Sequence, residues 1–154
     1  MKTLNNYINE ALIKKDTKIK TWNYFPKDKK ELRSLIEQLL EEHGEDADLN
    51  DIDTSSITDM FELFYKLDPH NINISEWDVS KVKNMEAMFW ECKNFNADLS
   101  EWDVSSVTKM GGMFFMCKKF NSDLSKWDVS KVENMGSMFY ECTALKNKPA
   151  WYKK

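Results

Sequence analysis

Hydrophobic and polar positions recur with a period of 25 residues from about Asn50 to Pro149. Three copies beginning at Ser75, Ser100 and Ser125 share the pattern S-x-W-D-V-S-x-V-x-x-M-x-x-M-F, and a looser copy precedes them. Repetition at such a period is typical of stacked supersecondary units, none of which buries its apolar side alone. The pattern therefore predicts a short solenoid of four coils.

Within each coil the apolar period changes from two residues toward 3.6, which predicts a strand followed by a short helix. In the copy from Ser100, the spacing of Leu99, Trp102 and Val104 matches the strand of a leucine-rich repeat. The residues that follow at helical spacing are Val107, Met110, Met113, Phe114 and Cys117. The predicted fold class is an α/β repeat, a leucine-rich-repeat-like solenoid with a strand and a short helix in each coil and an N-terminal helical cap.

Three columns of identical residues at the repeat spacing, of serine, cysteine and asparagine, are predicted to have structural roles. Serines before the predicted helices are expected to accept hydrogen bonds from free backbone N–H groups as N-caps. Cysteines one repeat apart are predicted to be small core residues, with a soft-metal column and disulfides as the alternatives. Asparagines are expected to bond backbone groups at a turn. The columns are Ser55, Ser80, Ser105 and Ser130; Cys92, Cys117 and Cys142; and Asn71, Asn96 and Asn121.

The segments that flank the repeats are predicted to cap them. Asp28 and Glu31 form a capping box, and Gly44 is placed to end the helix that they begin. Trp151 and Tyr152 are expected to cover the core of the last coil. The predicted organisation is an amphipathic helix with a basic and aromatic linker in 1–26, a capping helix and half-coil in 27–49, four repeats in 50–149 and a C-terminal cap in 150–154.

Charge and composition narrow the classes of partner. The formal net charge is −4 over 154 residues, which gives no strong attraction to nucleic acid or to an anionic membrane. No run approaches the roughly 18 apolar residues of a transmembrane helix, and the start of the chain lacks the pattern of a signal peptide. The expected location is therefore the cytoplasm or a virion, with the cell surface less favoured.

No cofactor, metal site or catalytic constellation is predicted. Asp46, Asp48 and Asn50 alternate like the start of an EF-hand loop, but the sixth position is not Gly and the twelfth is Ile57 instead of Glu. The serine column has no histidine at a shared coil position, so a Ser/His/Asp arrangement is not indicated.

Three outward features are candidate binding surfaces. The first is a column of aspartates on the predicted strand face, interpreted as acceptors for N-cap backbone groups or, alternatively, as a site for a cation or a basic partner. The second is a column of aromatic residues, a recognition patch if exposed, whose rings otherwise fold over the neighbouring coil. The third is the apolar face of an N-terminal helix, which either docks on the protein's own cap or attaches it to a larger assembly. The residues are Asp53, Asp78, Asp103 and Asp128; Tyr65, Trp90, Phe115 and Tyr140; and Leu4, Tyr7, Ile8, Ala11 and Leu12.

The run W-D-V-S-x-V-x-x-M-x-x-M-F, followed by a small residue and F-N-x-D-L, resembles the BspA-like leucine-rich repeat, which also occurs in mycoplasma surface lipoproteins. The resemblance covers about two thirds of the chain. It implies a right-handed solenoid used for recognition and, in cell-surface members, for adhesion. The N-terminal segment loosely resembles leaders on proteins of large tailed phages of gut bacteria, which favours a virion-associated role.

The predicted function is that of a non-enzymatic interaction or scaffold protein, attached through its N-terminal helix to a larger assembly such as a phage virion. The alternatives are a bacterial surface adhesin of the same family and a hydrolase that uses the aspartate column. Equivalent aspartates in one repeated environment would not have the divergent pKa values that a general acid and a general base require. The predicted partner is a protein or larger assembly, with single-stranded nucleic acid as a weaker alternative for the basic linker. The oligomeric state is left open.

Overall fold

The computed structural model describes residues 20–153, in which successive repeats lie on top of one another. Isolated parallel bridges join Asp59 to Asn84, Asn84 to Lys109 and Lys109 to Asn134, each 25 residues further along the chain. Equivalent positions of the repeats therefore form columns that run the length of the stack. The coils are coil 1, residues 50–74; coil 2, 75–99; coil 3, 100–124; and coil 4, 125–149.

One helix, α1, covers Lys29–His43, and no other helix occurs among residues 20–153. Its start agrees with the predicted N-cap, because the Asp28 side chain accepts a hydrogen bond from the Glu31 N–H at 2.9 Å. Its end agrees with the predicted stop at Gly44, which has φ 84° and donates its N–H to the Leu40 carbonyl. The helix buries Leu32, Ile36 and Leu39 in the core that it shares with the coils.

The predicted α/β repeat solenoid, with a strand and a short helix in each coil, is wrong. No strand forms among the described residues, and the segments expected to be helical are successions of turns. We call these segments, residues 60–67, 85–92, 110–117 and 135–142, the turn wall. In coil 3, Met113 donates its N–H to Met110 of its own coil at 3.2 Å, whereas Gly112 and Phe114 donate theirs to Gly136 and Met138 of coil 4 at 2.9 and 3.0 Å. A helix would retain all of these bonds within one segment.

Two residues in each turn wall have left-handed backbone conformations, four positions apart. In coil 3 they are Gly112 with φ 60° and Met116 with φ 59°. A left-handed residue ends regular helical bonding, so the wall cannot continue as a helix. The spacing of three and four residues that suggested a helix arises instead from turns closed between residues three apart. The equivalent left-handed residues of the other coils are Glu62, Ala87 and Ser137, and Lys66, Glu91 and Glu141.

The predicted strand around Trp102 is replaced by turns at aspartate residues. The Asp98 and Asp103 carboxylates accept hydrogen bonds from the backbone N–H groups of Ser100 and Ser105 at 3.0 and 3.1 Å. These are Asx turns, which reverse the chain where an extended strand would continue. The predicted role of the serines as N-cap acceptors is wrong, because the serine backbone donates and the aspartate accepts.

The core is built from columns that bond each coil to the one before it. The Trp102 indole Nε1–H donates to the Ile74 carbonyl at 3.0 Å, and its ring stacks on Trp77 with centroids 6.4 Å apart. The cysteines are free and buried, as predicted for small core residues. The Cys117 thiol, for example, donates to the Phe89 carbonyl at 2.9 Å. Every such bond satisfies a polar group that burial would otherwise leave unpaired.

The two ends of the stack are covered in different ways. At the N-terminal end, Arg33 Nη1 donates to the Leu63 carbonyl at 2.8 Å, where a preceding coil would supply a backbone N–H. At the C-terminal end, Trp151 stacks on Trp127 at 6.3 Å and donates its Nε1–H to the Leu124 carbonyl at 2.8 Å. Tyr152 packs edge-on nearby, so the open core of coil 4 is partly covered.

Candidate binding groove on the turn wall

Each turn wall carries two adjacent aromatic residues that lie on opposite sides of the backbone. The first residue of each pair is buried in the core, while the second is half-buried or exposed. We call the second residues the outer column. The buried members are Phe64, Phe89, Phe114 and Phe139, and the outer column consists of Tyr65, Trp90, Phe115 and Tyr140.

Three rings of the outer column form one continuous stack. The centroids of Trp90 and Phe115 lie 4.0 Å apart, and those of Phe115 and Tyr140 lie 4.8 Å apart, with ring planes within 14°. Tyr140 is 53% exposed. Tyr65 makes no ring contact with Trp90 in the described part of the chain, and the Lys66 ammonium lies 5.0 Å from its ring. The rings thus stack on the neighbouring coil, as one alternative predicted, and still leave an accessible row of ring edges.

An open groove of about 700 Å³ runs beside this stack. Its floor consists of small residues, among them Ala87, Gly111 and Gly112. A Cβ atom on Gly112 would lie 2.7 Å from Trp90 Cζ3, and one on Gly111 would lie 2.9 Å from Asn134 Nδ2. The Trp90 ring therefore favours glycine at position 112, whereas the contact at Gly111 is with the end of the flexible Asn134 side chain, which can move.

Three glutamates are the charged groups that line the groove: Glu62, Glu86 and Glu91. Glu86 Oε1 accepts from Asn134 Nδ2 at 3.0 Å, and Glu91 Oε1 accepts from the Trp90 indole N–H at 3.1 Å. A smaller groove of about 350 Å³ shares Phe61, Glu62 and Tyr65 with the first and extends it to the basic residues of α1. The charge along the combined groove therefore changes from positive at α1 to negative at the glutamates of coils 1 and 2.

The aspartate column lies away from this groove and closes turns. Hydrogen bonds from Ser105 and Ser130 lower the pKa of Asp103 and of Asp128, respectively. The two shifts have the same direction, so this pair does not provide the protonated acid and ionised base of a hydrolase. No group of three or more His, Cys, Asp or Glu residues within 20–153 is arranged to hold a metal ion.

The buried cysteines are poor candidates for nucleophiles. Burial raises the pKa of Cys92 to about 12 and that of Cys142 to about 11, and it also raises the pKa of Cys117. Each thiol donates to a phenylalanine carbonyl of the preceding coil, at 2.8 to 3.2 Å. A neutral, buried thiol neither attacks a substrate nor binds a soft metal readily.

The predicted docking face of Leu4, Tyr7, Ile8, Ala11 and Leu12 lies outside the described residues. The end of the linker is described, and it pairs with coil 1. Asn23 donates its N–H to the Asp51 carbonyl, and Asp53 donates its N–H to the Tyr24 carbonyl, both at 2.9 Å. Residues from at least Asn23 onward therefore belong to the stack.

Sequence reasoning identified the outer column but missed the groove beside it. The signal was a column of small residues at the repeat spacing, Ala87, Gly112 and Ser137. Where a column of small residues lies beside a column of aromatic residues, the small side chains leave a groove next to the rings.

A family model described as "Mycoplasma protein of unknown function, DUF285" matches residues 30–151, which include most of α1 and all four coils. The chain belongs to this family. The match supports a mycoplasma-type repeat family and does not identify the BspA-like leucine-rich repeat specifically. Among the curated proteins and the solved structures, no match to the chain is found. The single helix of residues 20–153 lacks the length and apolar character needed to cross a membrane.

Proposed function

We propose that this protein is a non-enzymatic interaction protein that binds a segment of a protein partner in the groove beside the outer column. One observation carries the proposal. Trp90 and Phe115 line an open groove as stacked aromatic rings, and the partly exposed Tyr140 extends their stack. Aromatic side chains of this kind anchor protein interfaces, because they bury large areas at a low entropic cost.

The backbone behind the groove supports this role, because hydrogen bonds between coils hold it both before and after Trp90. Ala87 donates its N–H to the Gly111 carbonyl at 2.9 Å, and Glu91 donates its N–H to the Phe115 carbonyl at 2.8 Å. A surface held in this way loses little conformational freedom on binding, so more of the contact energy contributes to affinity. The resemblance to BspA-like repeats is consistent with recognition as the role.

The test is recovery of the partner from the native source, followed by mass spectrometry. The Phe115→Ala, Tyr140→Ala double variant removes two rings of the outer column. Trp22→Ala with Phe25→Ala is the matched control, since both residues are exposed outside the groove. We expect the wild type and the control to recover the same partner and the groove variant to lose it. Equal recovery by the groove variant would place the binding site elsewhere.

Attachment to a larger assembly through the N-terminal helix that the sequence predicts is tested separately with a chain that begins at Lys20. A start at Lys20 keeps the pairing of Asn23 and Tyr24 with coil 1, which a start at Lys27 would remove. If the helix is the attachment point, we expect the shortened chain to fold normally and to lose assembly proteins while retaining the partner of the groove. Recovery of assembly proteins by the shortened chain would contradict this role.

A further inference from the structure

The charge of the groove points to the chemistry of its partner, an inference that rests on the proposed function. The residues that line it include Glu62, Glu86 and Glu91 but no lysine or arginine. Two cations beside the groove, on α1 and coil 1, have other contacts. Lys29 pairs with Asp59 at 3.4 Å, and Lys66 lies over the Tyr65 ring. The negative charge of the glutamates on coils 1 and 2 is therefore not neutralised by a cation that lines this groove.

Two of the three carboxylates are held in place by one oxygen and leave the other available. Oε1 of Glu86 is bonded by Asn134, and Oε1 of Glu91 is bonded by Trp90. Among the described residues, no donor binds Oε2 of either side chain. A carboxylate that is oriented in this way can accept a charge-assisted hydrogen bond from an ammonium or guanidinium group.

The stacking of the rings limits which ligands fit beside them. Trp90 and Phe115 line the groove face to face, and Tyr140 covers the other face of Phe115, so ring edges border the groove along this stack. A sugar ring or a cation–π contact needs an open aromatic face. Ring edges instead suit the methylene stems of long side chains, whose charged ends can then reach the glutamates.

The lining of the groove is continuous between the aromatic rings and Asn134. Gly112 is buried beneath the Trp90 ring, and the Asn134 amide lies across Gly111, so side chains cover both glycines. An extended polypeptide can lie along this lining with its side chains directed alternately toward the rings and the glutamates.

We infer that the groove binds an extended protein segment bearing lysine or arginine, whose cations pair with Glu62, Glu86 and Glu91 while their methylene stems pack on the outer column. The segment is expected to place most of its positive charge beside Glu86 and Glu91 of coil 2, because the end of the groove at α1 is lined by Lys29, Lys30 and Arg33.

The test is selection of a random displayed peptide library on the full-length protein. The charge variant combines Glu62→Gln, Glu86→Gln and Glu91→Gln, which keeps the acceptor oxygens for Asn134 and Trp90. The matched control combines Glu41→Gln, Glu42→Gln and Glu45→Gln, which are exposed outside the groove and change the net charge equally. We expect enriched peptides to be rich in lysine or arginine and to bind the charge variant about tenfold more weakly, with the control unchanged.

The outcomes separate this inference from the proposed function. Peptides that need Phe115 and Tyr140 for binding but are neutral or acidic would overturn the inference and leave the proposed function standing. An equal loss in the control variant would also overturn it, since net charge alone would then explain binding. The absence of any enrichment that depends on Phe115 and Tyr140 would overturn both.

Discussion

The inner and outer aromatic columns have the same 25-residue spacing and opposite roles. Phe89 and Trp90 are neighbours in the chain, yet Phe89 is fully buried and Trp90 lines an open groove. The difference also appears in the polar atoms. The indole of Trp102, in another buried column, bonds the preceding coil, whereas the outer Trp90 indole bonds Glu91 of its own coil. Both rings stack on a neighbouring coil, but the Trp102 ring is buried in the core while the Trp90 ring stays at the surface beside the groove.

The largest expected effect comes from breaking the buried tryptophan column, Trp77, Trp102 and Trp127. Trp102→Ala leaves a cavity and removes one of the two hydrogen bonds that the Ile74 carbonyl accepts, so we expect it to lower the free energy of unfolding by about 3–5 kcal/mol. Trp90→Ala is the control, expected to cost at most about 1.5 kcal/mol because it loses mainly one ring contact and little burial. Denaturant unfolding of both variants measures the difference. Equal losses would mean that the two columns do not differ as described.

An intermediate effect is expected where the outer column meets the groove floor. Gly112→Ala places a Cβ against the Trp90 ring at a residue with φ 60°, so we expect it to cost about 1–3 kcal/mol of unfolding free energy. Ala87 and Ser137 show that a Cβ is compatible with this backbone, so the contact with Trp90 decides the size of the effect.

Gly136→Ala is the control for Gly112→Ala. Its Cβ would lie 3.4 Å from Asn134 Oδ1, and its φ is not positive. We expect a change within about 0.5 kcal/mol. Comparable losses for the two variants in thermal and denaturant unfolding would show that Trp90 does not rest on Gly112.

The smallest effect is expected at the aspartate turns, which neither column includes. The pKa of Asp103 is lowered in the folded state, so its contribution to stability is present above the unfolded pKa and is lost as pH falls through the folded value. Asp103→Asn keeps an oxygen that can accept from Ser105, as Asn73 does for Ser75 at 3.4 Å, but it does not titrate. We expect its free energy of unfolding to fall less than that of the wild type below about pH 4. Parallel curves for the two proteins would contradict this.

Much of the core could be predicted from residues at the repeat spacing. Trp102, Val107, Met110 and Cys117 were placed inward, and all are buried. The same positions led to the wrong secondary structure, because turns closed by bonds between residues three apart bury side chains at nearly the same spacing as a helix. The sequence did not indicate the left-handed conformations of Glu62 and Lys66, since glutamate and lysine do not favour positive φ.

The sequence by itself determined the length of the repeating unit and the residues that fill the core, because identical apolar side chains at a constant spacing must stack to leave water. It also determined the ends of α1, since Asp28 and Gly44 act through local backbone bonds. Only the tertiary structure decided that alternate N–H groups of the turn wall bond the next coil, and that Phe89 faces inward while Trp90 faces the groove. The backbone pairing and the burial of each ring depend on the carbonyls and side chains of a neighbouring coil about 25 residues away. A local sequence pattern does not contain that information.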